Sequence, residues 1–359
     1  MEAIELSSWA PAPVPNVVAE YLTCTRSSNA PPTIREHEIL VRMKLIPLHS
    51  LDMIHCAGIL QGPCSAGCEG VGIIERVGKE VKEYAPGDRV VVVAWPILGR
   101  ADDVLDLSQR IALWQELVVC RSDYILPIPD GMSDIDAAQS FVNPMSAYAM
   151  LFDALQMRPG QTLVLSGASS HLGLCINRIA NVTGIRVMNL IRTASQIEGL
   201  RQLGYQNLLV YDAQQPERML DAIRTTANGE ADAGIDMVAG KVTGYLLNVM
   251  KAFSTLILVG TSSWVGPDAS DLLTAGRLIM EGKRIQGFSV NKCWAASRDR
   301  ETKLRMFNRV CDLFCRRILF VPHPLLFPFS QVREAVVTAG DNANCLGGKV
   351  FLHPSAETQ

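Results

Sequence analysis

Residues Gly67 to Val90 read GCEGVGIIERVGKEVKEYAPGDRV. The glycines at 67, 70, 72 and 78 stand where a twisted antiparallel barrel must turn or admit another backbone, because glycine alone lacks the Cβ that blocks either. A polar turn, Pro86-Gly87-Asp88, then leads into the apolar run Val90 to Val93. Turn chemistry followed by a β-branched run predicts a strand entering the same barrel.

The residues on either side, from 1 to about 140, keep this texture. Glu38 to Leu48, Val71 to Val77, Arg89 to Val93 and Gln115 to Val119 are short strand-like runs between Gly and Pro turns. From Pro144 the rhythm changes to apolar strands alternating with helical patterns, the mark of βαβ units and a parallel sheet. Thr162 to Ser166 is a buried strand, Leu172 to Val182 a helix and Ile185 to Ile191 the next strand. Further strands are expected at Leu208 to Tyr211, Ile235 to Val238, Leu256 to Val259 and Ile285 to Ser289, which makes a doubly wound sheet of about six strands. A charged helix, Ser297 to Arg317, leads to Phe329 to Ala339 and a last strand, Lys349 to Leu352.

Composition bounds the partners. With 359 residues, 48% of them hydrophobic and 19% charged, the chain has room for about two well-cored domains. A net charge of −3 with both signs interspersed supplies no basic stripe, so neither nucleic acid nor an anionic membrane is expected, and a small molecule is. No apolar run reaches membrane length. Ten cysteines in a chain this long read as reduced thiols rather than a disulfide framework. Glu2 and Glu5, with no arginine before Arg26, are unlike an Arg-rich transit peptide and point to the cytoplasm.

After the strand Thr162 to Ser166, the chain runs Gly167-Ala168-Ser169-Ser170-His171-Leu172-Gly173 into a helix. Backbone N–H groups at such a turn face a pyrophosphate, so Ser169, Ser170, His171 and Leu172 are candidate cofactor contacts. The turn is poor in glycine, and the βαβ context from Gln161 to Arg192 carries the assignment. The second strand ends in Asn189-Leu190-Ile191-Arg192 with a cation where NAD enzymes of this fold place an acid. Arg192 on a 2′-phosphate would favour NADPH, the alternative being a solvated loop charge. There is no GxSxG elbow, HExxH, P-loop or EF-hand pattern, which leaves hydrolase, zincin and kinase readings without residues.

The GxExxGxxxxxG run followed by PGDRV resembles the signature of the medium-chain dehydrogenase/reductase family. FVNPMSAYAML (Phe141 to Leu151), NLIRTASQIEGLRQLGY (Asn189 to Tyr205), AGKVTGYLLNVM (Ala239 to Met250) and IQGFSVNKCW (Ile285 to Trp294) are similar to its NADPH-dependent trans-2-enoyl thioester reductases, with quinone oxidoreductases next. The resemblance covers about Glu38 to His353. It implies an α/β protein with a GroES-like β-barrel catalytic domain, residues 1–142 with 290–359, and a Rossmann NADPH-binding domain, residues 143–289, with the substrate in the cleft between them. By the same resemblance Asn143 and Ser146 are the catalytic candidates beside the nicotinamide. Gly240 and Gly260 would line the cofactor cleft, Asn189, Val290 and Lys349 would complete the cofactor contacts, and Phe288 would lie near the acyl pocket with Leu60, Tyr148 and Trp294. Near Phe141 and Phe152, Tyr148 also suits simple core packing. The resemblance further implies a homodimer and a mitochondrial setting, against the cytoplasmic reading of the first residues.

Two departures matter. The resembled reductases carry a tyrosine whose hydroxyl is thought to help protonate the substrate's α-carbon, and Leu60 takes its place; Ser289 stands where a bulky aromatic is usual. Another proton source, a quinone or alkenal substrate, or a silent NADPH-binding protein would each accommodate Leu60. Zinc relatives of this fold place their ligands at positions matching His49, Cys68 and Val142, of which the last is apolar, so no metal is expected. His49, His55, Cys56, Cys64 and Cys68 nevertheless cluster in sequence. Glu69 is expected to be structural.

Overall fold

Strands β1 (Glu2–Leu6) and β2 (Leu22–Arg26) pair antiparallel around the helix Pro15–Tyr21. Then follow β3 (Glu38–Pro47), β4 (Glu69–Val77), β5 (Arg89–Val93), β6 (Leu117–Arg121) and β7 (Ile125–Pro127). This computed structural model describes residues 1–28, 30–59, 66–211, 216–227, 230–260, 275–340, 346 and 348–354. The next six strands are β8 (Thr162–Leu165), β9 (Arg186–Ile191), β10 (Leu208–Val210), β11 (Ala233–Asp236), β12 (Thr255–Leu258) and β13 (Arg284–Gly287). The last two are β14 (Pro324–Pro328) and β15 (Lys349–His353). The chain divides into one unit of Met1–Met145 with Val290–Gln359 and another of Ser146–Ser289.

The first unit is the GroES-like barrel. Its seven-stranded sheet runs β14-β15-β3-β4-β5-β7 with β6 also on β3. The glycines of the opening stretch let β4 lie close on β3: a Cβ at Gly72 would sit 2.5 Å from Val41 Cγ1 and 2.6 Å from the Arg42 carbonyl oxygen. Val41, Val71, Val91, Val92 and Phe351 are fully buried among these strands, each worth about 1.5–3 kcal/mol of transfer from water.

The second unit is a six-stranded, wholly parallel Rossmann sheet in the order β10-β9-β8-β11-β12-β13. Its first strand is central, and the winding reverses between β8 and β11, where a crevice opens at the carboxyl ends of the strands. Val164, Leu190, Leu246, Met250 and Leu256 form its core.

Three local expectations shift. The helix expected from Ser297 starts at Arg300, because the Asp299 side chain accepts the Thr302 N–H at 2.8 Å and caps it. The strand expected at Gln115 begins at Leu117, since Gln115 bridges to Ala3. Strand β14 and the helix Ser50–Cys56 are additions; the first is parallel to β15 at a sheet edge, where prolines are tolerated.

Candidate functional site

In the Rossmann unit the turn after β8 is held from three sides. Gly167 adopts a left-handed φ of 62°. A Cβ at Gly173 would lie 2.1 Å from the Ala168 carbonyl oxygen, so only glycine lets the helix His171–Thr183 start this close to the strand. The buried Tyr205 donates its hydroxyl to that same carbonyl at 2.9 Å. Ser170 is the N-cap, its Oγ accepting the Gly173 N–H at 3.1 Å. His171, the first helical residue, is buried, while Ser169 and Leu172 are half-buried.

The facing strands complete the rim. Asp236, at the end of β11, accepts Ser166 Oγ at 2.5 Å, Thr243 Oγ1 at 2.7 Å and the Val238 and Ala239 N–H groups at 2.9 and 3.0 Å. This carboxylate ties the ends of β8 and β11 together and shapes the loop that leads to Gly240, the N-cap of Lys241–Asn248 with φ 63°. A Cβ on Gly260 would meet the Met237 carbonyl oxygen at 2.7 Å, and Ser170 Oγ lies 3.5 Å from Met237 Sδ. Gly167, Ser170 and Gly260 are thus brought together on Met237.

Arg192 is exposed immediately after β9. Next to it Thr193 Oγ1 and Ser195 Oγ are 3.1 Å apart. Asn189, expected at the cofactor, is fully buried. Its amide exchanges hydrogen bonds with Asn177 at 2.8 and 2.9 Å and donates to the Gln206 carbonyl at 2.9 Å. Those bonds use the amide's donors inside the protein and tie the end of β9 to the helix His171–Thr183. Phe288 is half-buried, with its N–H on the Leu258 carbonyl. Tyr148 stacks edge-on against Phe152 at 4.8 Å.

Asn143 and Ser146 lie three residues apart on the helix Val142–Ala149 and so share a face. Val290 and Trp294 are buried at the two ends of a π-helical turn, Val290–Trp294. Leu60, like Cys64, lies outside the described residues.

The barrel unit holds a group that the sequence did not reveal. Lys349 Nζ lies 3.2 Å from His49 Nδ1, and His49 Nε2 lies 3.0 Å from Glu69 Oε1. Glu69 Oε2 accepts the Phe141 N–H at 2.7 Å, at the start of the helix that carries Asn143. All three side chains are buried. Lys349, expected at the cofactor, thus sends its ammonium into a row of polar groups drawn from β15, the N-cap of the helix Ser50–Cys56 and β4. Burial pushes the Glu69 carboxyl up to about 8, opposed by the Phe141 N–H and the charge of Lys349.

Beside this row Asp52 accepts the His49 N–H at 2.7 Å, the Gly67 N–H at 2.8 Å and the Cys68 thiol at 3.3 Å. His55 completes a buried trio with Asp52 and Cys68, their polar atoms all within 4.8 Å of one another. Arg110, also buried, lies over Trp95 at 5.5 Å. Burial pulls the His55 imidazole down to about 3, with the Arg110 charge acting in the same direction.

Residues 35–130 match the family model described as an alcohol dehydrogenase GroES-like domain, and residues 172–308 the one described as a zinc-binding dehydrogenase. The mitochondrial enoyl-[acyl-carrier-protein] reductase of Xenopus tropicalis is 27% identical over 300 residues, covering 80% of this chain and 79% of that protein. The synaptic vesicle membrane protein VAT-1 homolog of Danio rerio is 26% identical over 339 residues, covering 89% of this chain and 65% of that one. Among solved structures, a putative NADPH:quinone reductase from Mesorhizobium loti superposes with a TM-score of 0.80 at 24% identity, covering 99% of this chain and 98% of that chain. Escherichia coli quinone oxidoreductase complexed with NADPH gives 0.79 at 19%, covering 99% and 100%. Among the described residues no helix is long and apolar enough to cross a membrane.

The zinc in one family description does not fit these residues. A metal at His49 would share its ligand with the Lys349 ammonium, which lies 3.2 Å from Nδ1. Arg110 already supplies a buried positive charge beside Asp52 and Cys68. A nicotinamide dinucleotide does fit, because the turn after β8 leads directly into the N-terminus of the helix His171–Thr183 at the carboxyl end of the parallel sheet.

Proposed function

The chain belongs to the medium-chain dehydrogenase/reductase family, and from that premise we propose that it is an oxidoreductase that uses NADPH to reduce an activated carbon–carbon double bond, with a trans-2-enoyl thioester as substrate. When bound, NADPH supplies the hydride that goes to the substrate's β-carbon. The observation that carries the choice of coenzyme is Arg192, exposed where this fold otherwise places an acid for the ribose of NAD. Its guanidinium pairs with the 2′-phosphate, the turn at residues 169–172 faces the pyrophosphate, and Gly240 and Gly260 admit the rest of the cofactor close to the backbone. Asn143 and Ser146 present one helix face to the nicotinamide and to the oxygen on which negative charge develops. Val290 would complete the cofactor contacts. Phe288, Tyr148 and Trp294 would border the acyl chain.

The thioester is favoured over other acceptors by the similarity to enoyl reductases over most of the chain. A quinone or alkenal acceptor is the second reading, favoured by Leu60, since water can protonate a solvent-facing product. A homodimer through the sheet edge at β13 is supported by Phe253, Ile279 and Met280, which are 75%, 75% and 85% exposed. A mitochondrial location is supported by the same enoyl reductase similarity.

The test measures loss of NADPH absorbance with purified protein and, in turn, a medium-chain trans-2-enoyl-CoA and a small quinone. Turnover with the enoyl-CoA supports the first reading, and turnover with the quinone alone supports the second. NADPH binding without turnover of either would make the chain a dinucleotide-binding protein rather than a reductase.

A further inference from the structure

The Rossmann unit has a cleft of about 370 Å³ at the amino ends of its strands, the opposite end of the sheet from the turn after β8. Gln161 directly precedes β8, Asp232 precedes β11, Thr255 opens β12 and Arg284 opens β13, and all four line it. Because β8, β11, β12 and β13 are neighbours in the sheet, one wall of the cleft is a row of strand beginnings. Residues 154–157 form another. The volume falls within the range of small-molecule sites, about 300–1,000 Å³.

The backbone around this cleft is held in uncommon conformations. Among the described residues five that are not glycine have a positive φ, and two of them, Gln156 at 50° and Phe253 at 63°, border this one cleft. A π-helical turn, Met150–Ala154, leads to Gln156. The Leu155 N–H donates to the Met150 carbonyl at 2.9 Å and the Met157 N–H to the Leu151 carbonyl at 2.8 Å, so hydrogen bonds on both sides fix Gln156. Phe253 is fixed by its N–H on the Glu281 carbonyl at 2.9 Å, and its ring lies where only glycine fits at position 282, since a Cβ there would be 2.7 Å from Phe253 Cδ1. Strained residues and π-helical turns concentrate at binding sites.

The polar groups decide the charge of what binds. Asp232 is already matched within the protein, with Oδ1 accepting the Lys251 ammonium at 2.6 Å and Oδ2 the Thr162 N–H at 2.7 Å. Gln161 Oε1 accepts the Arg158 N–H at 2.8 Å. The backbone N–H of Arg284 is anchored on the Ser254 carbonyl at 3.0 Å, while its exposed guanidinium has no hydrogen bond or ion pair among the described residues. The cleft thus presents one uncompensated cation and side-chain amides, and its carboxylate is neutralised by Lys251.

We propose that this cleft is a second small-molecule site, and that it takes a small organic oxyanion, a phosphate monoester or a dicarboxylate, through the Arg284 guanidinium. Paired N–H donors in one plane match two oxygens of either group. The amides of Gln156 and Gln161 meet the remainder of the ligand. The site lies wholly in the Rossmann unit and owes nothing to the reductase reading above.

The experiment titrates the full chain by calorimetry, at constant ionic strength, with glycerol 3-phosphate, malonate and inorganic phosphate, against chloride as the control. Saturable binding of glycerol 3-phosphate or malonate is expected, and the tighter of the two identifies the class of oxyanion. Arg284→Gln should weaken it by about tenfold or more. Gln156→Gly should weaken it by about threefold or more while its thermal midpoint stays or rises, because glycine adopts a φ of 50° without strain. A residue that served stability alone would not separate those two readings. Arg192→Gln should leave probe affinity within about twofold, which distinguishes the cleft from the dinucleotide turn. The proposal is overturned if neither organic probe binds beyond chloride, if inorganic phosphate alone binds, or if Arg284→Gln binds as the wild type does. Loss of binding in Arg192→Gln would place the anion at the dinucleotide site and overturn it equally. A changed oligomeric state of Arg284→Gln in light scattering, with probe affinity unaltered, would give the arginine to a contact between copies instead.

Discussion

His49 Nε2 and Glu69 Oε1 are 3.0 Å apart in the barrel core, where the glutamate is fully buried. Burial raises the Glu69 carboxyl from 4.5 to about 8. A carboxyl whose folded pKa exceeds its unfolded one favours the fold while protonated. Its contribution is complete below the unfolded value and is lost as pH rises through about 8. Burial also raises the neighbouring Asp52, which adds a slope of the same sign. Thermal midpoints measured between about pH 5 and about pH 9 should fall with pH in the wild type and fall less in Glu69→Gln. Equal slopes in the two proteins would show that Glu69 does not titrate in this range.

Gly173 is the residue on which the dinucleotide turn depends. A methyl group there would sit 2.1 Å from the Ala168 carbonyl oxygen, and backbone rather than a flexible side chain must give way. Gly173→Ala is expected to weaken NADPH binding at least about tenfold by displacing the helix N-terminus from the phosphate, with a stability loss of about 1–3 kcal/mol. Calorimetric titration with NADPH checks it. Unchanged affinity in a folded variant would put the pyrophosphate elsewhere.

The parallel sheet was legible because its strands are short apolar runs at regular spacing, and the order β10-β9-β8-β11-β12-β13 is that of a doubly wound sheet. Arg192 was legible for the same reason, as its place is fixed by the end of a strand. The Lys349, His49 and Glu69 row was not. Its members come from three segments as far apart as positions 49 and 349, and the contact exists only after β15 pairs with β3. The sequence carried one signal, a glutamate and a lysine each beginning a strand and followed by apolar residues, and that signal alone does not say which groups meet. Strand β14 was obscured by prolines at both its ends, which an edge position permits.

Tyr205 should act on cofactor binding from outside the cofactor site. Its hydroxyl donates at 2.9 Å to the carbonyl of Ala168, the residue against which Gly173 packs. Tyr205→Phe keeps the ring and removes the bond, leaving a buried acceptor without that donor, at a cost of about 1–3 kcal/mol. Some of that cost should appear as an NADPH dissociation constant raised about threefold to tenfold, read by fluorescence quenching alongside the thermal midpoint. A lower midpoint with unaltered NADPH affinity would confine Tyr205 to stability.

On the reading proposed above, Arg192 is the residue that decides between the two coenzymes. The guanidinium is exposed at the end of β9, and no acidic residue follows within the stretch Thr193-Ala194-Ser195 that could take a ribose hydroxyl instead. A charge-assisted pair with the 2′-phosphate is worth about 1.5–3 kcal/mol, which corresponds to a preference of about tenfold to a hundredfold for NADPH. Arg192→Gln should lose that preference by weakening NADPH while leaving NADH nearly as it was, because only the phosphate loses a partner. Added salt should narrow the wild-type preference in the same direction, since an exposed pair is screened. Dissociation constants for both coenzymes at low and high salt test this. A variant whose two constants change in parallel would mean that Arg192 supports the loop rather than reads the phosphate.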